Sequence, residues 1–416
     1  MTTSSEPTTA YVWVWLPDAL DPVVAGRVDR VGERYDFTYG RSYLDRPDAI
    51  ALYEPELPLR RGAQAPPPPL EIAGCLADAA PDSWGQRVIL ARRLGRLDRS
   101  SDTGDLDRIT YLLESGSNRI GALDFQHSPT EYVPRTGAID TTIDELLLAA
   151  DRLQEGAVLS DALAAALLRG TSIGGARPKA LLDDGATGRI AKFSSTTDPY
   201  PVVKAEGVAM ELARRAGVTA PATEVVDVVG RDVLLVDRFD RTPAGARRMV
   251  VSALTMLGLT EMTARYATYP DLADLVRARF DNPTQTVHEL FRRIVVNVAV
   301  GNIDDHARNH AAFWNGSTLA LTPAYDLCPQ VRSGTEVTQA MAITRDGDRR
   351  SRFSVCRAGA AEYLLSPREA DAIIDEVRAV IHDEWAGAAD RCRLTAAERA
   401  QLWGRQILNP SVEYDD

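Results

Sequence analysis

The stretch Gly301-Asn302-Ile303-Asp304-Asp305-His306-Ala307-Arg308-Asn309 follows a run of apolar residues and has the spacing Asp-x-His-x-x-Asn. Further along the chain, a second lone carboxylate occurs at Asp326, in Leu321-Thr322-Pro323-Ala324-Tyr325-Asp326-Leu327. Phosphoryl transfer needs one Asp to orient the attacking hydroxyl, together with an Asn and another Asp that hold Mg²⁺. The step from Asp304 to Asn309 matches the Asp-x-x-x-x-Asn catalytic loop of protein kinases. The pattern therefore predicts a kinase.

This loop contains more than one candidate for the central role. We expect Asp304 to act as the catalytic base, while Asn309 and Asp326 hold the metal ion. Asp305 is the competing base, although its distance from Asn309 is one residue shorter than the kinase pattern. His306 is either a structural brace or a nucleotide contact. If these polar residues only cap the end of the preceding helix, the cluster has a structural role alone.

Zinc binding is the other chemistry that the loop could support. Its ligands would be Asp304, His306 and His310, but no third well-spaced histidine or cysteine completes the set. His310 therefore reads as an ordinary loop histidine. The four cysteines are scattered without a CxxC pair, which argues against a structural zinc site and against a disulfide framework.

A glycine-rich loop lies at 171–179, with the sequence Thr-Ser-Ile-Gly-Gly-Ala-Arg-Pro-Lys. Small residues remove the Cβ obstacle, so that backbone N–H groups can approach and bind an anion. We expect Gly174, Gly175 and Ala176 to contact nucleotide phosphates, although a tight surface turn would have a similar sequence. Lys179 is either a second phosphate cation or a solvated charge. The loop is not a Walker A motif, since GxxxxGK[ST] is absent.

The elements that follow this loop come in the order of a kinase N-lobe. A strand at 189–193 carries Lys192, which we expect to bind the nucleotide phosphates rather than extend into solvent. Glu206 lies near the start of the next helix, and a Lys–Glu ion pair in this order is a kinase feature. Glu211 competes for that role on the same helix, and helical periodicity alone does not choose between the two.

A buried strand at 232–236 ends in the charged turn Asp237-Arg238-Phe239-Asp240. In a kinase this is the hinge between the lobes, where backbone groups bind the edge of adenine. We therefore place Asp237, Arg238 and Phe239 at the nucleotide, together with Tyr325. A strand end capped by polar residues is the alternative.

The bulk composition is that of a folded protein with more than one domain. A chain of 416 residues is too long for one compact core, and its 45% hydrophobic and 25% charged content is ordinary. No apolar run approaches the roughly 20 residues that span a bilayer, and the N-terminus lacks the features of a signal peptide. We therefore expect a cytoplasmic protein. A net charge of −12 disfavours non-specific binding to nucleic acid, and leaves DNA contact to a partner or a local basic face.

The predicted elements indicate an α+β fold of the kinase-like, two-lobed type. Residues 1–135 form a β-rich N-terminal domain, 136–240 the kinase N-lobe and 241–416 a mostly helical C-lobe with a hairpin at 337–355. The local patterns predict strands at 11–16, 35–39, 189–193, 223–229 and 232–236, and helices at 84–97, 143–168 and 202–216.

Together, these motifs resemble the HipA family, the kinase toxins of bacterial HipA–HipB toxin–antitoxin modules. The resemblance runs over most of the chain. The segments that carry it are the glycine loop 172–179, the ATP-lysine strand 190–193, the hinge 236–241, the catalytic loop 302–309, the metal-binding motif 323–327, and 76–85 and 120–123 near the N-terminus. The family usually has Glu where Asp237 stands, which puts a side-chain contact of the hinge in doubt.

The resemblance implies a serine/threonine protein kinase that uses ATP and Mg²⁺, with aminoacyl-tRNA synthetases among the family's targets. It also implies an autophosphorylation site at Ser172, where a phosphate would empty the nucleotide pocket and silence the enzyme. Thr171 could be modified instead, and Pro178 could restrict the required loop movement. The implied partner is a HipB-like helix-turn-helix antitoxin, and DNA would be met only through it.

Two other functions stay open. Asp-x-His-x-x-Asn also resembles the catalytic loops of phosphoinositide kinases, so the acceptor could be a lipid or another small molecule. The chain could also be a pseudokinase subunit that binds a DNA-bound antitoxin. The intact set of Lys192, Asp304, Asn309 and Asp326 argues against the pseudokinase.

Overall fold

The structure is a computed structural model that describes residues 6–95, 101–136, 141–168, 170–171, 175, 177–182, 187–195, 198–332, 334 and 336–415. The chain divides into two compact units. Unit 1 comprises Met1–Ser195, Asp240–Val251 and Trp314–Ser317, and unit 2 comprises Thr196–Phe239, Ser252–Phe313 and Thr318–Asp416. The mixture of helices and sheets confirms the α+β class. The three-part division at residues 135 and 240 stays a prediction.

Unit 1 combines an antiparallel sheet with short helices and a hairpin. Its elements are β1 (Thr9–Val14), β2 (Val23–Val31), β3 (Arg34–Tyr39), α1 (Arg41–Leu44), β4 (Ala63–Gln64), α2 (Gly74–Ala77), α3 (Ser83–Leu94), α4 (Arg108–Glu114), β5 (Leu123–Gln126), α5 (Ile143–Gln154), α6 (Asp161–Leu168), β6 (Lys179–Leu182) and β7 (Arg189–Phe193). β1 and β3 confirm the two strands predicted near 11–16 and 35–39.

The sheet of unit 1 has the strand order β4-β3-β2-β1-β5. Aromatic residues of β3 and α1 pack against one another beside it. Phe37 packs edge-on against Tyr39, with ring centroids 4.7 Å apart, and Tyr39 stacks on Tyr43 at 5.7 Å. The buried Tyr39 hydroxyl donates to the Leu57 carbonyl at 2.7 Å and accepts from the Leu52 N–H at 2.9 Å. Its polar atom is thus satisfied, so the ring can be buried without an unpaired hydroxyl.

A buried ion cluster follows the short helix α4. Arg119 and Asp124 are both fully buried, and the Arg119 Nε donates to Asp124 Oδ1 at 2.8 Å. Arg135 donates to the same oxygen at 2.8 Å. Burial would raise the pKa of Asp124, but the charges of the two arginines outweigh it and leave that pKa below its usual value. The carboxylate is therefore held ionised inside unit 1.

Unit 2 is built mainly of helices. Its elements are α7 (Val202–Arg215), β8 (Thr223–Val228), β9 (Arg231–Asp237), β10 (Met249–Ser252), which starts in unit 1, α8 (Ala253–Met256), α9 (Tyr269–Arg279), α10 (Pro283–Val300), β11 (Ala311–Trp314), β12 (Leu319–Leu321), α11 (Phe353–Ala358), α12 (Pro367–Arg391) and α13 (Ala396–Leu402). α7, β8 and β9 confirm the helix predicted at 202–216 and the strands at 223–229 and 232–236.

Helix α10 forms the centre of unit 2. Val287, Leu290, Ile294 and Val298 recur at helical spacing, and all four are fully buried, with α9 and α12 packed against the helix. Burying one such side chain stabilises the fold by about 1.5–3 kcal/mol. This buried helix provides the rigid base on which the loop after residue 300 is mounted.

Three parts of the sequence-based prediction were wrong. The single helical segment at 143–168 is two helices, α5 and α6, because the chain turns at Gly156, whose φ is +70°. The predicted hairpin at 337–355 is reduced to an isolated antiparallel bridge between Thr338 and Arg350. The short strands β10, β11 and β12 interrupt a region that was expected to be helical almost throughout.

Two further expectations concern the whole chain. The four cysteines are free and buried, so the absence of a disulfide framework is confirmed. Among the described residues, no helix combines the length and the apolar character that crossing a bilayer requires.

Candidate active site

The loop with the Asp-x-His-x-x-Asn motif starts at the end of α10, in unit 2. Gly301 ends the helix with a φ of +73°, and a Cβ there would lie 2.5 Å from the Gln406 carbonyl oxygen. Only glycine fits both the left-handed backbone and this close approach. The Asn302 N–H donates to the Asn297 carbonyl, and the Ile303 carbonyl accepts from the Ala340 N–H at 3.0 Å. The loop is therefore fixed immediately before Asp304.

Asp305 is the buried hub of this loop. It is 3% exposed. Its Oδ2 accepts hydrogen bonds from Tyr269 Oη at 2.5 Å, Asn297 Nδ2 at 2.7 Å and His310 Nε2 at 2.8 Å. Burial would raise the pKa of Asp305, but His310 and the hydrogen bond from Tyr269 outweigh it and lower that pKa. A carboxylate engaged in this way cannot accept a proton from a substrate, which removes the rival to Asp304.

Asp304 points away from this hub and is exposed. The surrounding loop still removes part of its hydration, and this desolvation raises the pKa of Asp304. His306 opposes the increase, whereas the negative charges of Asp326 and Asp305 add to it. Asp326 therefore lies close enough to Asp304 for charge repulsion, so unit 2 brings the two predicted carboxylates together. Asp304 is thus an exposed carboxylate with a raised pKa, and its role as the catalytic base stays a prediction.

Asn309 and Asp326 offer the oxygen ligands that Mg²⁺ prefers. The Asn309 side chain is buried, and its Nδ2 donates to the Asp304 carbonyl at 3.2 Å, which leaves the Oδ1 oxygen for a metal. Asp326 has a φ of +61°, a backbone conformation that is uncommon outside glycine and that Asp tolerates better than most residues. Mg²⁺ usually takes one or two protein carboxylates together with substrate phosphates, and this donor set fits that pattern.

The zinc alternative, which the sequence did not favour, has no support in the arrangement of this loop either. His310 is buried and bound to Asp305, so it faces the core of unit 2 rather than Asp304. Within the described ranges, no group of three or more His, Cys, Asp or Glu side chains is arranged to hold a metal ion. His306 has a buried Nδ1 with no hydrogen-bond partner in the described structure, which does not distinguish a brace from a nucleotide contact.

The predicted hinge residues lie beside an aromatic cluster in unit 2. The rings of Phe239 and Tyr325 are 5.7 Å apart between centroids, and Phe313 packs edge-on against Phe239 at 6.1 Å. The Tyr325 hydroxyl donates to the Arg308 carbonyl at 2.6 Å, which ties the aromatic cluster to the catalytic loop. Two of the residues predicted for nucleotide binding are thus close together.

The two other hinge residues differ from each other in exposure. The Asp237 side chain is exposed, but its N–H donates to the Ala222 carbonyl at 3.0 Å and is therefore not available to adenine. The Arg238 side chain is buried. Contact between a nucleotide and either residue stays a prediction, and for Asp237 it is restricted to the carbonyl and the side chain.

Part of the glycine loop in unit 1 lies within the described residues. Gly175 is exposed and has a φ of +95°, which only glycine adopts readily. Of the two roles considered for Lys179, the solvated charge was wrong, since the residue is 2% exposed and its Nζ contacts Asp82 Oδ2 at 3.0 Å and the Gly175 carbonyl at 2.8 Å. Contact between Lys179 and the nucleotide phosphates stays a prediction. Ser172, Gly174 and Ala176 lie outside the described residues.

Thr171 was the alternative phosphorylation site and is fully buried. Its hydroxyl donates to the Leu168 carbonyl at 2.8 Å and accepts from the Gly116 N–H at 3.3 Å. A hydroxyl engaged on both sides inside the core is a poor phosphate acceptor. This geometry favours Ser172 over Thr171, although modification of Ser172 stays a prediction.

The ion-pair candidates on α7 differ in what surrounds them. Glu206 is 2% exposed, whereas Glu211 binds three arginines at the surface at 3.0–3.1 Å, Arg214, Arg215 and Arg391. Glu211 is therefore already engaged with arginines, whereas Glu206 is buried. The Lys192–Glu206 pair itself stays a prediction.

Sequence reasoning missed the residues that support the site. Asn297 and Tyr269 hold Asp305 from α10 and α9, and a buried Asn among valines in α10 was the available signal. Asp82 was also missed, although an Asp directly before a helical segment is a recognisable N-cap. Its contact with Lys179 could not be read from local sequence, because 96 residues separate the two along the chain.

Comparison with known proteins covers most of the chain. Residues 171–385 match the family described as the HipA-like C-terminal domain, and residues 14–126 match the HipA N-terminal domain. The serine/threonine-protein kinase toxin HipA of Shewanella oneidensis is 26% identical over 183 residues, which are 39% of this chain and 42% of the toxin. The putative kinase Y4mE of Sinorhizobium fredii is 26% identical over 331 residues, 73% of this chain and 74% of that protein.

The fold is also shared with a solved structure. Shewanella oneidensis HipA, in a complex with HipB and operator DNA, has a TM-score of 0.63 and 19% identity, and the similarity covers 98% of this chain and 100% of that one. At this identity the similarity shows the fold alone. The matched part spans less than half of the HipA toxin in sequence, so activity, substrate and partner need arguments of their own.

Proposed function

The chain belongs to the HipA family, and from this premise we propose that it is an ATP- and Mg²⁺-dependent serine/threonine protein kinase. The observation that carries the proposal is the contrast between two neighbouring carboxylates. Asp305 accepts hydrogen bonds from three buried side chains, whereas Asp304 is exposed in the loop after a rigid helix and lies close to Asp326. One free carboxylate beside a second acidic residue is what phosphoryl transfer requires.

Each residue of the catalytic loop then has a role. Asp304 accepts or orients the proton of the acceptor hydroxyl, and its raised pKa makes it a stronger base. Asn309, through Oδ1, and Asp326 hold Mg²⁺. Bound Mg-ATP supplies the phosphoryl group, and the metal neutralises its charge.

The nucleotide is assigned to residues that surround the glycine loop and the hinge. Lys192 binds the phosphates as a fixed cation, and Glu206 orients it as an ion-pair partner. Gly174, Gly175 and Ala176 offer backbone N–H groups to the phosphates. Tyr325 and the hinge residues Asp237, Arg238 and Phe239 contact the base, and His306 contacts the nucleotide from the catalytic loop.

Membership of the HipA family supports a proposal for the substrate and for the partner. We propose a protein acceptor, with aminoacyl-tRNA synthetases as the first candidates, and autophosphorylation at Ser172 as an off-switch. The Shewanella relative forms a complex with HipB and operator DNA. We propose a HipB-like antitoxin as the partner here, with DNA contacted only through it. A net charge of −12 supports this indirect contact with DNA.

The decisive experiment is intact mass spectrometry of phosphatase-treated protein, with and without Mg-ATP. We expect wild type to gain one phosphoryl group, lost in Ser172→Ala, and Asp304→Asn to gain none while it still binds ATP. A loss of the base in this loop should lower the rate of transfer by at least about 100-fold. Asp281→Asn, an exposed carboxylate at the other end of α10, is the matched control and should behave as wild type.

The outcomes separate the competing functions. Equal phosphorylation in Asp304→Asn would reject Asp304 as the base. ATP binding by wild type without any self-modification would direct the search to other acceptors, and a panel of synthetases against inositol lipids and small alcohols would separate a protein kinase from a small-molecule kinase. If wild type gains no phosphate and binds no ATP, the kinase proposal is rejected and the pseudokinase alternative stands.

A further inference from the structure

A turn in the N-terminal part of unit 1 holds the glycine loop. Asp82 caps helix α3, with its Oδ1 accepting from the Gly85 N–H at 2.7 Å. Its other oxygen, Oδ2, binds the Lys179 ammonium at 3.0 Å, and the same ammonium donates to the Gly175 carbonyl at 2.8 Å. One carboxylate is therefore linked, through one cation, to the backbone of the loop.

The same turn also contacts both ends of the loop. The buried Trp84 donates its Nε1–H to the Lys179 carbonyl at 3.2 Å, at the C-terminal end. At the N-terminal end, Gly85 packs so closely on Thr171 that a Cβ would lie 1.9 Å from the Thr171 carbonyl oxygen. Asp82, Trp84 and Gly85, which we call the loop anchor, thus fix Thr171 on one side and Lys179 on the other.

We propose that Asp82 is a positioning residue that sets the conformation of the phosphate-binding glycine loop. The Asp82 carboxylate neutralises and orients the buried Lys179 ammonium, which in turn holds the Gly175 carbonyl. The Lys179 charge is then neutralised inside unit 1, and Gly175 is held in place for the nucleotide triphosphate. This inference rests on the proposed kinase function for its ligand, but its geometry lies wholly within unit 1.

The physical argument is preorganisation. A loop held at both ends loses less conformational entropy when it binds, so the bound phosphates need not supply that ordering free energy. A buried ammonium that loses its carboxylate is strongly destabilised and must seek water or another acceptor. Removal of the Asp82 charge should therefore release Lys179 from Gly175 and loosen the loop before any nucleotide is present.

The test compares two aspartates with the same local role. In Asp82→Asn the amide still caps α3, since Asn is as good an N-cap as Asp, but the negative charge that pairs with Lys179 is lost. Asp107 is the matched control: it caps α4 through the Ile109 N–H at 2.7 Å and pairs with Arg30 at 3.1 Å, without contact with the loop. Full-length protein is used in each case.

Two readouts are measured. Amide hydrogen exchange of the peptide covering 170–179, without nucleotide, reports on the loop itself, and the Kd for Mg-ATP reports on its use. We expect Asp82→Asn to accelerate exchange and weaken ATP binding, each by about tenfold, the size expected for loss of a group that positions a ligand contact. Asp107→Asn should leave both unchanged, and Asp82→Glu, which restores the carboxylate, should recover most of the binding.

Unchanged exchange and unchanged Kd in Asp82→Asn would overturn the inference, as would equal effects in Asp107→Asn, since the role would then be structural only. If wild type binds no Mg-ATP, the proposed function is rejected, and the exchange comparison alone decides whether the anchor exists. Should Asp82→Asn fail to fold, Lys179→Met tests the same link from the other side, with faster exchange expected and unchanged exchange contradicting it.

Discussion

Asp304 and Asp305 have the same side chain and neighbouring positions, but their chemistry differs because of what each contacts. Burial would raise the pKa of Asp305, but His310 and the hydrogen bond from Tyr269 outweigh it and lower that pKa, whereas partial desolvation raises the pKa of Asp304. Pairs of titratable groups with pKa values shifted apart are typical of catalytic sites. In this loop one carboxylate supports the backbone, and the other remains available for proton transfer.

Asp326 combines a candidate metal ligand with an uncommon backbone conformation. Asparagine tolerates φ values near +60° as well as aspartate does, so Asp326→Asn should fold with an unchanged Tm. Its loss of charge should raise the Mg²⁺ concentration needed for half-maximal activity by about tenfold or more. Asp326→Ala should in addition lose up to about 1 kcal/mol of stability, because alanine is less favourable in the left-handed region.

Initial rates against Mg²⁺ concentration, with thermal unfolding of the same samples, check this prediction. If Asp326→Asn showed the Mg²⁺ dependence of wild type, Asp326 would not be a metal ligand. A large fall in Tm for the asparagine variant would instead indicate that the residue mainly supports the fold.

At the scale of the element, the β8–β9 hairpin has an unfavourable residue in its turn. Val228 pairs with Arg231, so the turn has two residues, Val229 and Gly230, with φ values of +52° and +75°. Two positive φ values define a type I′ turn, for which Asn-Gly is the preferred sequence. Val229 is β-branched and 81% exposed, so it incurs backbone strain without burying its side chain.

Val229→Asn should therefore stabilise the protein. The expected gain is about 1 kcal/mol, since a side chain in the left-handed region costs about that much and Asn is the residue that tolerates it best. Thermal or urea unfolding measures the change, and ATP binding should stay the same. Val226→Asn, a matched change within strand β8, should destabilise the hairpin, and an equal or lower Tm for Val229→Asn than for wild type would contradict the strain argument.

Glu206 and Glu211 lie on the same helix, α7, but differ in their surroundings because of how the helix packs. Gly207 lets the helix approach β8 and β9, because a Cβ there would lie 2.9 Å from a Val225 methyl and 3.2 Å from a Leu234 methyl. Most of the helix is therefore buried: Glu206 is 2% exposed, and the half-buried side chain of Glu211 is bound by arginines. Periodicity predicted the helix, but the choice between the two glutamates required its packing.

At the scale of the molecule, each unit contains a buried carboxylate with a lowered pKa. In unit 1 this is Asp124, between two arginines, and in unit 2 it is Asp305. A lowered folded-state pKa means that the native state binds fewer protons than the unfolded chain. The stability from these groups is present above the unfolded value of about 3.9 and is lost as pH falls through the folded values.

The free energy of unfolding should therefore fall as the pH drops below about 4, and should continue to fall through the lower folded-state pKa values. Asp124→Asn should weaken that dependence, and should cost about 3–5 kcal/mol at neutral pH because Arg119 stays buried without its partner. Urea unfolding at a series of pH values measures both effects. The exposed Asp281→Asn should keep the slope of wild type, and a pH-independent wild type would contradict the argument.

How much of this could be predicted from the sequence depended on the range of the interactions. Strong local patterns, such as the apolar spacing of α10 and the β-branched residues of β8 and β9, predicted their elements correctly, and the glycines and caps at their ends set the boundaries. The sequence could not show which of Asp304 and Asp305 is exposed and which is buried. The three side chains that bind Asp305 come from α9, from within α10 and from His310 directly before β11. The strands β11 and β12 are too short for a periodic signal, although Asn315-Gly316 between them is a turn sequence.

The four buried cysteines can report local unfolding of the native protein, because a buried thiol is labelled only after it becomes exposed. Burial raises the pKa of Cys356 and of Cys392 to about 12 and that of Cys75 well above its usual value, and only an exposed thiolate reacts with alkylating reagents. Cys75 lies in unit 1, whereas Cys328, Cys356 and Cys392 lie in unit 2. The rate at which each thiol is labelled in the native protein would therefore time the opening of each unit separately, without any engineered tag.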